Sequence, residues 1–131
     1  LARAYLYSAL SDSDRAAAEG AMVMLLDDPS PLVRRALAEV FAASEDAPPT
    51  LVHALACDQP DVAAPVLQRS PLLLDADLVE AVATGESERQ AAIAVRTDLP
   101  CSVAAAIAEV ATADEVRDLL DREAREGEES C

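Results

Sequence analysis

His53 is the only histidine in the chain, and Cys57 follows it at i+4. On a helix that spacing puts both side chains on one face. An imidazole beside a thiol is where nucleophilic catalysis or metal binding would begin. A catalytic base also needs an orienting acid, and the sequence offers no such constellation around His53. A metal needs more than two ligands, and nothing nearby supplies the others. His53 is expected at an exposed or rim position. Cys57 and Cys101 are expected as small core or near-core residues, and Cys131 as a thiol in the tail. The acidic clusters Asp12/Asp14, Asp27/Asp28, Asp75/Asp77 and Glu126/Glu128/Glu129 fall mostly at helix starts, where a carboxylate caps free N–H groups. The three glycines, Gly20, Gly85 and Gly127, are scattered and form no phosphate-cradling loop. The sequence therefore predicts no enzyme, no cofactor and no metal site.

The charged residues that could recognise something are arginines. Arg34, Arg35, Arg69 and Arg96 recur on the first helices of successive units or in the loops that follow. A guanidinium binds carboxylate or phosphate through a planar fork, so these four are the candidate partner-binding residues. The competing expectation is that they pair with neighbouring Asp and Glu on the surface, for about 0–1 kcal/mol each.

Composition narrows the partners. The net charge is −15, and all ten basic residues are arginine. Nucleic-acid affinity comes from neutralising phosphates, so nucleic acid is excluded as an expected partner, and an anionic membrane surface with it. No apolar run approaches the roughly 20 residues that span a bilayer, and no signal peptide is visible. Three widely spaced cysteines fit a reducing compartment, so a cytoplasmic location is expected. The chain opens at Leu1 without a methionine, which points to a piece of something longer.

The elements that must position these side chains are short helices. With aromatics at 2% and no tryptophan, the core must be built from Leu, Val and Ala. Ala faces allow close helix approach but contribute little burial, so thin, local cores between neighbouring helices are expected. The organising stretch is Asp28–Ser44. Asp28 and the two prolines Pro29 and Pro31 suit a helix start. Leu32, Val33, Ala36, Leu37, Val40 and Phe41 then fall on one face. Pro48 and Pro49 end this helix, and a second follows over 50–57. Upstream, a helix over 1–10 buries Leu1, Tyr5, Leu6 and Leu10. Another, opened by Ser11, buries Ala17, Ala21, Met24 and Leu25. Gly20 within it costs about 1 kcal/mol unless a neighbour approaches closely there. Downstream, 61–69 carries Val62, Val66 and Leu67 inward, with Pro65 predicting a kink or a late start. Asp75 caps a helix with Leu78, Val79 and Val82 inward, stopped by Gly85. Ser87 opens one with Ala92, Ile93 and Val95, and Pro100 one with Val103, Ala106, Ile107 and Val110. Thr112 or Asp114 opens the last, with Val116, Leu119 and Leu120.

Self-similarity runs through this series. Leu51–Ala56, Leu78–Ala83 and Val103–Ala108 share apolar, variable and Ala positions at offsets of 27 and 25 residues. Arg69-Ser70-Pro71-Leu72 aligns with Arg96-Thr97-Asp98-Leu99, again 27 apart. A period of this length holding two short helices predicts a solenoid. Asp28-Pro29-Ser30-Pro31-Leu32-Val33-Arg34-Arg35-Ala36-Leu37 resembles the Asp-x-x-x-x-Val-Arg pattern of HEAT-like repeats, and Arg96–Pro100 with Val103 and Ile107 resembles the leucine-rich repeat variant. Over Ser11 to Asp121 the chain is similar to a bacterial family of uncharacterised proteins, a domain of unknown function, carrying such repeats.

The expected fold is all-α: a short HEAT-like helical-repeat solenoid of about four helical hairpins and a terminal helix, right-handed, in one domain over 1–121. Its parts are N-terminal capping helices 1–27, repeats over 28–57, 58–85 and 86–111, a terminal helix over 112–121, and a polar, disordered tail over 122–131. The repeat, together with the absence of any catalytic set, leads to the expectation of a non-enzymatic protein–protein interaction or scaffolding module. Its alternatives are a ligand-sensing regulatory domain of a larger signalling protein and, behind it, a nucleic-acid-binding helical repeat.

Overall fold

The computed structural model describes residues 2–84 and 86–129, and every regular element among them is an α-helix. The order is α1 (Ala2–Tyr7), α2 (Asp12–Leu25), α3 (Pro31–Phe41), α4 (Pro49–Ala56), α5 (Pro60–Arg69), α6 (Asp75–Thr84), α7 (Ser87–Ala94) and α8 (Cys101–Glu129). Prolines mark several starts: Pro31, Pro49 and Pro60 each occupy the first helical position, where the missing N–H costs nothing. Ser11 caps α2 by accepting from the Asp14 N–H at 3.2 Å. At α6 the expected cap shifts by two residues. Asp77, not Asp75, reaches back to accept the Leu74 N–H at 3.0 Å, as the third residue of a capping box does. The stop assigned to Gly85 lies outside the described residues, as do Leu1 and the Cys131 thiol.

Helices two apart in the chain lie side by side. α3 packs on α5, α5 on α7, and α6 on α8, while α3, α4 and α5 also meet in sequence order. One apolar cluster runs through them, with Phe41, Met22, Leu51, Leu55, Leu67, Leu78, Ile93 and Val103 among its largest fully buried members. The single phenylalanine and Tyr5 meet edge to face, with ring centroids 6.0 Å apart.

Two helices bury a different face from the one their apolar residues suggest. α3 buries Leu37, Ala38 and Phe41 and leaves Leu32 78% exposed. Its inward stripe begins at Arg34 and continues at i+3, i+4 and i+7. α2 buries Ala18 and Met22, with Arg15 and Glu19 half-buried, and turns Met24 outward. In both cases a polar anchor sets the rotation. On α2 the Tyr5 hydroxyl donates to the Glu19 carboxylate, and the Arg15 guanidinium lies 4.5 Å from the Tyr5 ring centroid, a cation–π geometry. Burial and the Glu19 contact raise the Tyr5 pKa above its ordinary value.

Three further expectations are corrected. Pro65 does not delay α5: the helix starts at Pro60 and runs through it, with Pro65 itself buried. The expected helix over 112–121 and the described part of the expected disordered tail, as far as Glu129, are one continuous helix with the segment before them, α8. Neither proline nor any described break interrupts 101–126, and Glu, Arg, Ala and Leu there are good helix formers. Val95, expected inward, is exposed.

Gly20 is exposed, and a Cβ built on it meets nothing within 4 Å. No close approach requires it. Gly20→Ala should therefore raise unfolding stability by roughly 0.5–1 kcal/mol, read as an increased urea midpoint at unchanged m-value; a decrease would mean the helix needs glycine for a reason the packing does not show.

Candidate functional site

The four candidate arginines do not form one surface. Arg34 lies on the buried stripe of α3. Its Nε donates to Asp58 Oδ2 at 2.8 Å, its Nη2 to Asp58 Oδ1 at 3.3 Å, and its Nη1 to the Asp28 carbonyl at 2.5 Å. The fork thus joins the loop before α3 to the loop after α4. Arg96 donates from Nη1 to the Leu67 carbonyl at 2.6 Å and from Nη2 to the Ser70 carbonyl at 2.7 Å. Those carbonyls end α5, where free acceptors and the negative helix end attract a cation. Arg96 Nε is buried without a protein acceptor. Arg35 and Arg69 remain exposed, Arg35 leaning toward Glu39 at 3.5 Å. Two of the four are thus committed to holding loops, which the pairing of whole charges along the sequence does not reveal.

A fifth arginine behaves the same way. Arg89 donates to the carbonyls of Ala56, at 2.7 Å, and Asp58. The Asp58 loop is therefore held on two sides, by Arg34 from α3 through its carboxylate and by Arg89 from α7 through its backbone. Sequence reading missed Arg89 because its partners are backbone atoms more than 30 residues away.

Arg89 also lines a groove of about 390 Å³ beside α4, α6 and α7, with His53, Cys57, Asp77, Glu80 and Glu86 around it. His53 is half exposed, at the rim. Its Nδ1 is 2.7 Å from the Pro49 carbonyl and its Nε2 3.2 Å from Asp77 Oδ2. A carbonyl and a carboxylate both accept, so both contacts form fully only when both ring nitrogens carry protons. The Pro49 hydrogen bond, more than Asp77 itself, raises the His53 pKa. The Leu74 N–H, and after it His53, lowers that of Asp77. With both nitrogens engaged, neither is placed to take a proton from Cys57. Cys57 and Cys101 are exposed, against the expectation of core positions: Cys57 follows the last turn of α4 and Cys101 opens α8. Among the described residues no three His, Cys, Asp or Glu side chains gather closely enough to hold a metal ion, and no helix is long and apolar enough to cross a membrane.

The second surface is on α8. This helix has 29 residues, about 44 Å of length. Its first turns pack inward through Val103, Ala106, Ile107 and Val110. Beyond them Val116, Leu119 and Leu120 are 50%, 54% and 60% exposed. They continue from Ala108, Thr112 and Ala113, which with Glu109 and Val116 line a shallow hollow.

Residues 62–126 match the model of a family described as an uncharacterised protein conserved in bacteria, DUF2336. The matched segment runs from Val62 in α5 through nearly all of α8. It includes Asp77, Arg89 and the exposed α8 stripe, and leaves out His53 and Arg34. No curated protein and no solved structure matches the chain.

Two measurements test these assignments. Arg34→Ala strands a half-buried Asp58 and should cost about 1–3 kcal/mol in urea unfolding, whereas Arg35→Ala should change stability by less than about 0.5 kcal/mol; equal effects would show that the Asp58 loop is not held by Arg34. The His53–Asp77 link should be pH-dependent. The folded pKa of His53 is raised, so its contribution is full below the unfolded value of about 6.5 and is lost as pH rises through the folded value. The folded pKa of Asp77 is lowered, so its share is present above about pH 4 and lost as pH falls through the folded value. The stability difference between the wild type and His53→Gln should be largest between these limits and shrink in alkali. A difference that keeps growing as pH rises above about 6.5 would refute the link.

Proposed function

We propose that the chain is a non-enzymatic protein-interaction module, a short HEAT-like helical-repeat solenoid that presents helix α8 to a partner protein. The observation that carries this reading is the aliphatic stripe Val116, Leu119 and Leu120, at least half exposed on a helix that outruns the packed core. Contiguous exposed apolar side chains on an otherwise charged surface mark interaction sites. The side-by-side packing of α3, α5 and α7 supports the solenoid part of the proposal, since stacking of alternate helices is how such repeats bury their faces. The partner is protein rather than nucleic acid, because a net charge of −15 opposes phosphate binding.

The candidate arginines take on different roles under this reading. Arg34 and Arg96 build the scaffold, and Arg35 and Arg69 are the pair left exposed. The ligand-sensing alternative needs a cation free to meet a ligand, and the arginine that lines the groove beside α4, α6 and α7, Arg89, is spent on carbonyls, which counts against that reading.

The test is capture from a bacterial lysate on the immobilised chain, with Leu119→Asp/Leu120→Asp as the control surface. These positions are exposed, so circular dichroism should be unchanged. Loss of a specifically captured protein in the double variant, with retention in Arg35→Ala/Arg69→Ala, is the expected result and assigns binding to α8. Identical capture by wild type and the α8 variant removes the proposal's support.

A further inference from the structure

The α8 stripe has charged ends. Counting outward from Val116, Glu109 lies seven residues before it and Glu123 seven after. Two turns of helix separate each from the centre, about 10 Å along the axis, and a seven-residue step returns to nearly the same face. Thr112, Ala113, Leu119 and Leu120 occupy the intervening positions of the same seam. The surface thus reads, in order along α8, as one carboxylate, a shallow hollow, three aliphatic side chains and a second carboxylate. Glu109 and Glu123 are both exposed, and neither makes a hydrogen bond or ion pair among the described residues. Arg117, next to Val116 in sequence, pairs with Asp114 at 3.9 Å.

This charge pattern selects what can cover the stripe. A second copy of the chain is a poor occupant. In parallel register Glu109 would face Glu109 and Glu123 would face Glu123. Antiparallel about Val116, Glu109 would face Glu123. Either arrangement sets like charges opposite one another at both ends of the apolar contact, on chains that each carry −15. Like charges across a helix pair are unfavourable and choose against that pairing. A helix with the opposite ends removes the conflict.

Building on the interaction-module reading, we propose that the segment from Glu109 to Glu123 binds a basic amphipathic helix of a partner protein. The partner helix sets aliphatic side chains over Val116, Leu119 and Leu120, and a lysine or arginine against each of Glu109 and Glu123, one heptad either side of the apolar centre. The aliphatic contact supplies affinity, since it removes the exposed surface of three large side chains from water. The two terminal pairs supply register and choice of partner more than affinity. The hollow at Ala108, Thr112 and Ala113 gives the partner's first aliphatic side chain room beside Val116.

The experiment uses three synthetic helical peptides of about 20 residues, fluorescently labelled and titrated with the whole chain near physiological salt. The first has a Leu/Ile seam with Lys one heptad either side of its centre. The second has Glu at those two positions. The third has the composition of the first in scrambled order, and so the same charge without the seam. The Lys-flanked peptide should bind about tenfold tighter than the scrambled one. Glu109→Lys/Glu123→Lys should reverse the preference, toward the Glu-flanked peptide. Leu119→Asp/Leu120→Asp should abolish binding of both ordered peptides. Equal binding of the scrambled peptide would show bulk charge attraction alone and overturn the proposal, as would the absence of any reversal or of any binding. Sedimentation of the free chain separates the remaining outcome: a dimer dissociated by the Leu119/Leu120 change would make a second copy the occupant, overturning the basic-helix assignment while leaving an interaction module in place. Lysate capture judges that broader reading independently.

Discussion

The Asp58 loop is the constraint on which the stack depends. Its carboxylate takes Arg34 from α3, its carbonyl takes Arg89 from α7, and the adjacent Ala56 carbonyl takes Arg89 as well. α3, α5 and α7 are the row of helices that lie side by side, so the same loop is tied to both ends of that row, with α5 leading out of it. Arg96 repeats the device one loop later, on the carbonyls that close α5. Outside the Tyr5–Phe41 contact, the core has no aromatic ring with which to fix the angle between neighbouring helices. Leu, Val and Ala fill space but tolerate sliding, because dispersion contacts are weakly directional. Planar forks reaching two acceptors at once supply the direction that the core lacks. Lysine, a point charge on a flexible stem, does not hold two acceptors in a fixed plane in that way.

This explains which parts of the architecture were legible in the sequence and which were not. Helix starts were legible because proline and Ser11 act locally. The inward residues of α5 and α6 were legible because the buried positions there are apolar ones: Val62, Val66 and Leu67, then Leu78 and Val82. The faces of α2 and α3 were not. Each carries more apolar residues than it can bury, so periodicity alone admits more than one inward stripe. The choice falls to a charged residue that the pattern places outside, Arg34 in one helix and Arg15 with Glu19 in the other. Their partners, Asp58 and Tyr5, are far away in sequence, and no local rule finds them. The candidate arginines divide for the same reason. Arg34, Arg35, Arg69 and Arg96 look alike as residues, and only the loop carbonyls decide that two of them are scaffold.

The last helix shows the opposite failure. Thr112 and Asp114 are good capping residues, and reading them as a start splits α8 in two. Capping residues are permissive, however: Thr and Asp inside a helix cost a few tenths of a kcal/mol relative to the best formers. A real boundary needs something that stops the preceding helix as well. The Thr112 hydroxyl instead donates back to the Ala108 carbonyl at 2.8 Å, which satisfies it within the helix. The apolar positions assigned to a separate terminal helix, Val116, Leu119 and Leu120, therefore sit on a continuation whose direction is set by the packed turns before it.

That continuity is what makes these three side chains available. Had a loop at Thr112 allowed the chain to turn back, they could have folded onto α6 or α7 and been buried there. Because the helix continues straight on, the core ends at Val110 and the seam beyond it faces water. The exposed stripe is thus a direct consequence of helix propensity overriding a weak boundary signal, and its position relative to the stack is fixed by Val103 and the residues one and two turns on. The acidic composition acts on the same feature. Glu109 and Glu123 bracket the stripe, so a like copy laid along it would set carboxylate against carboxylate at both of its ends. The histidine-lined groove, for all its suggestive residue types, has the reverse character. Its polar groups face one another or the backbone, as His53 does toward Asp77 and Pro49 and Arg89 toward Ala56 and Asp58, and each contact they make internally is one fewer offered to a ligand.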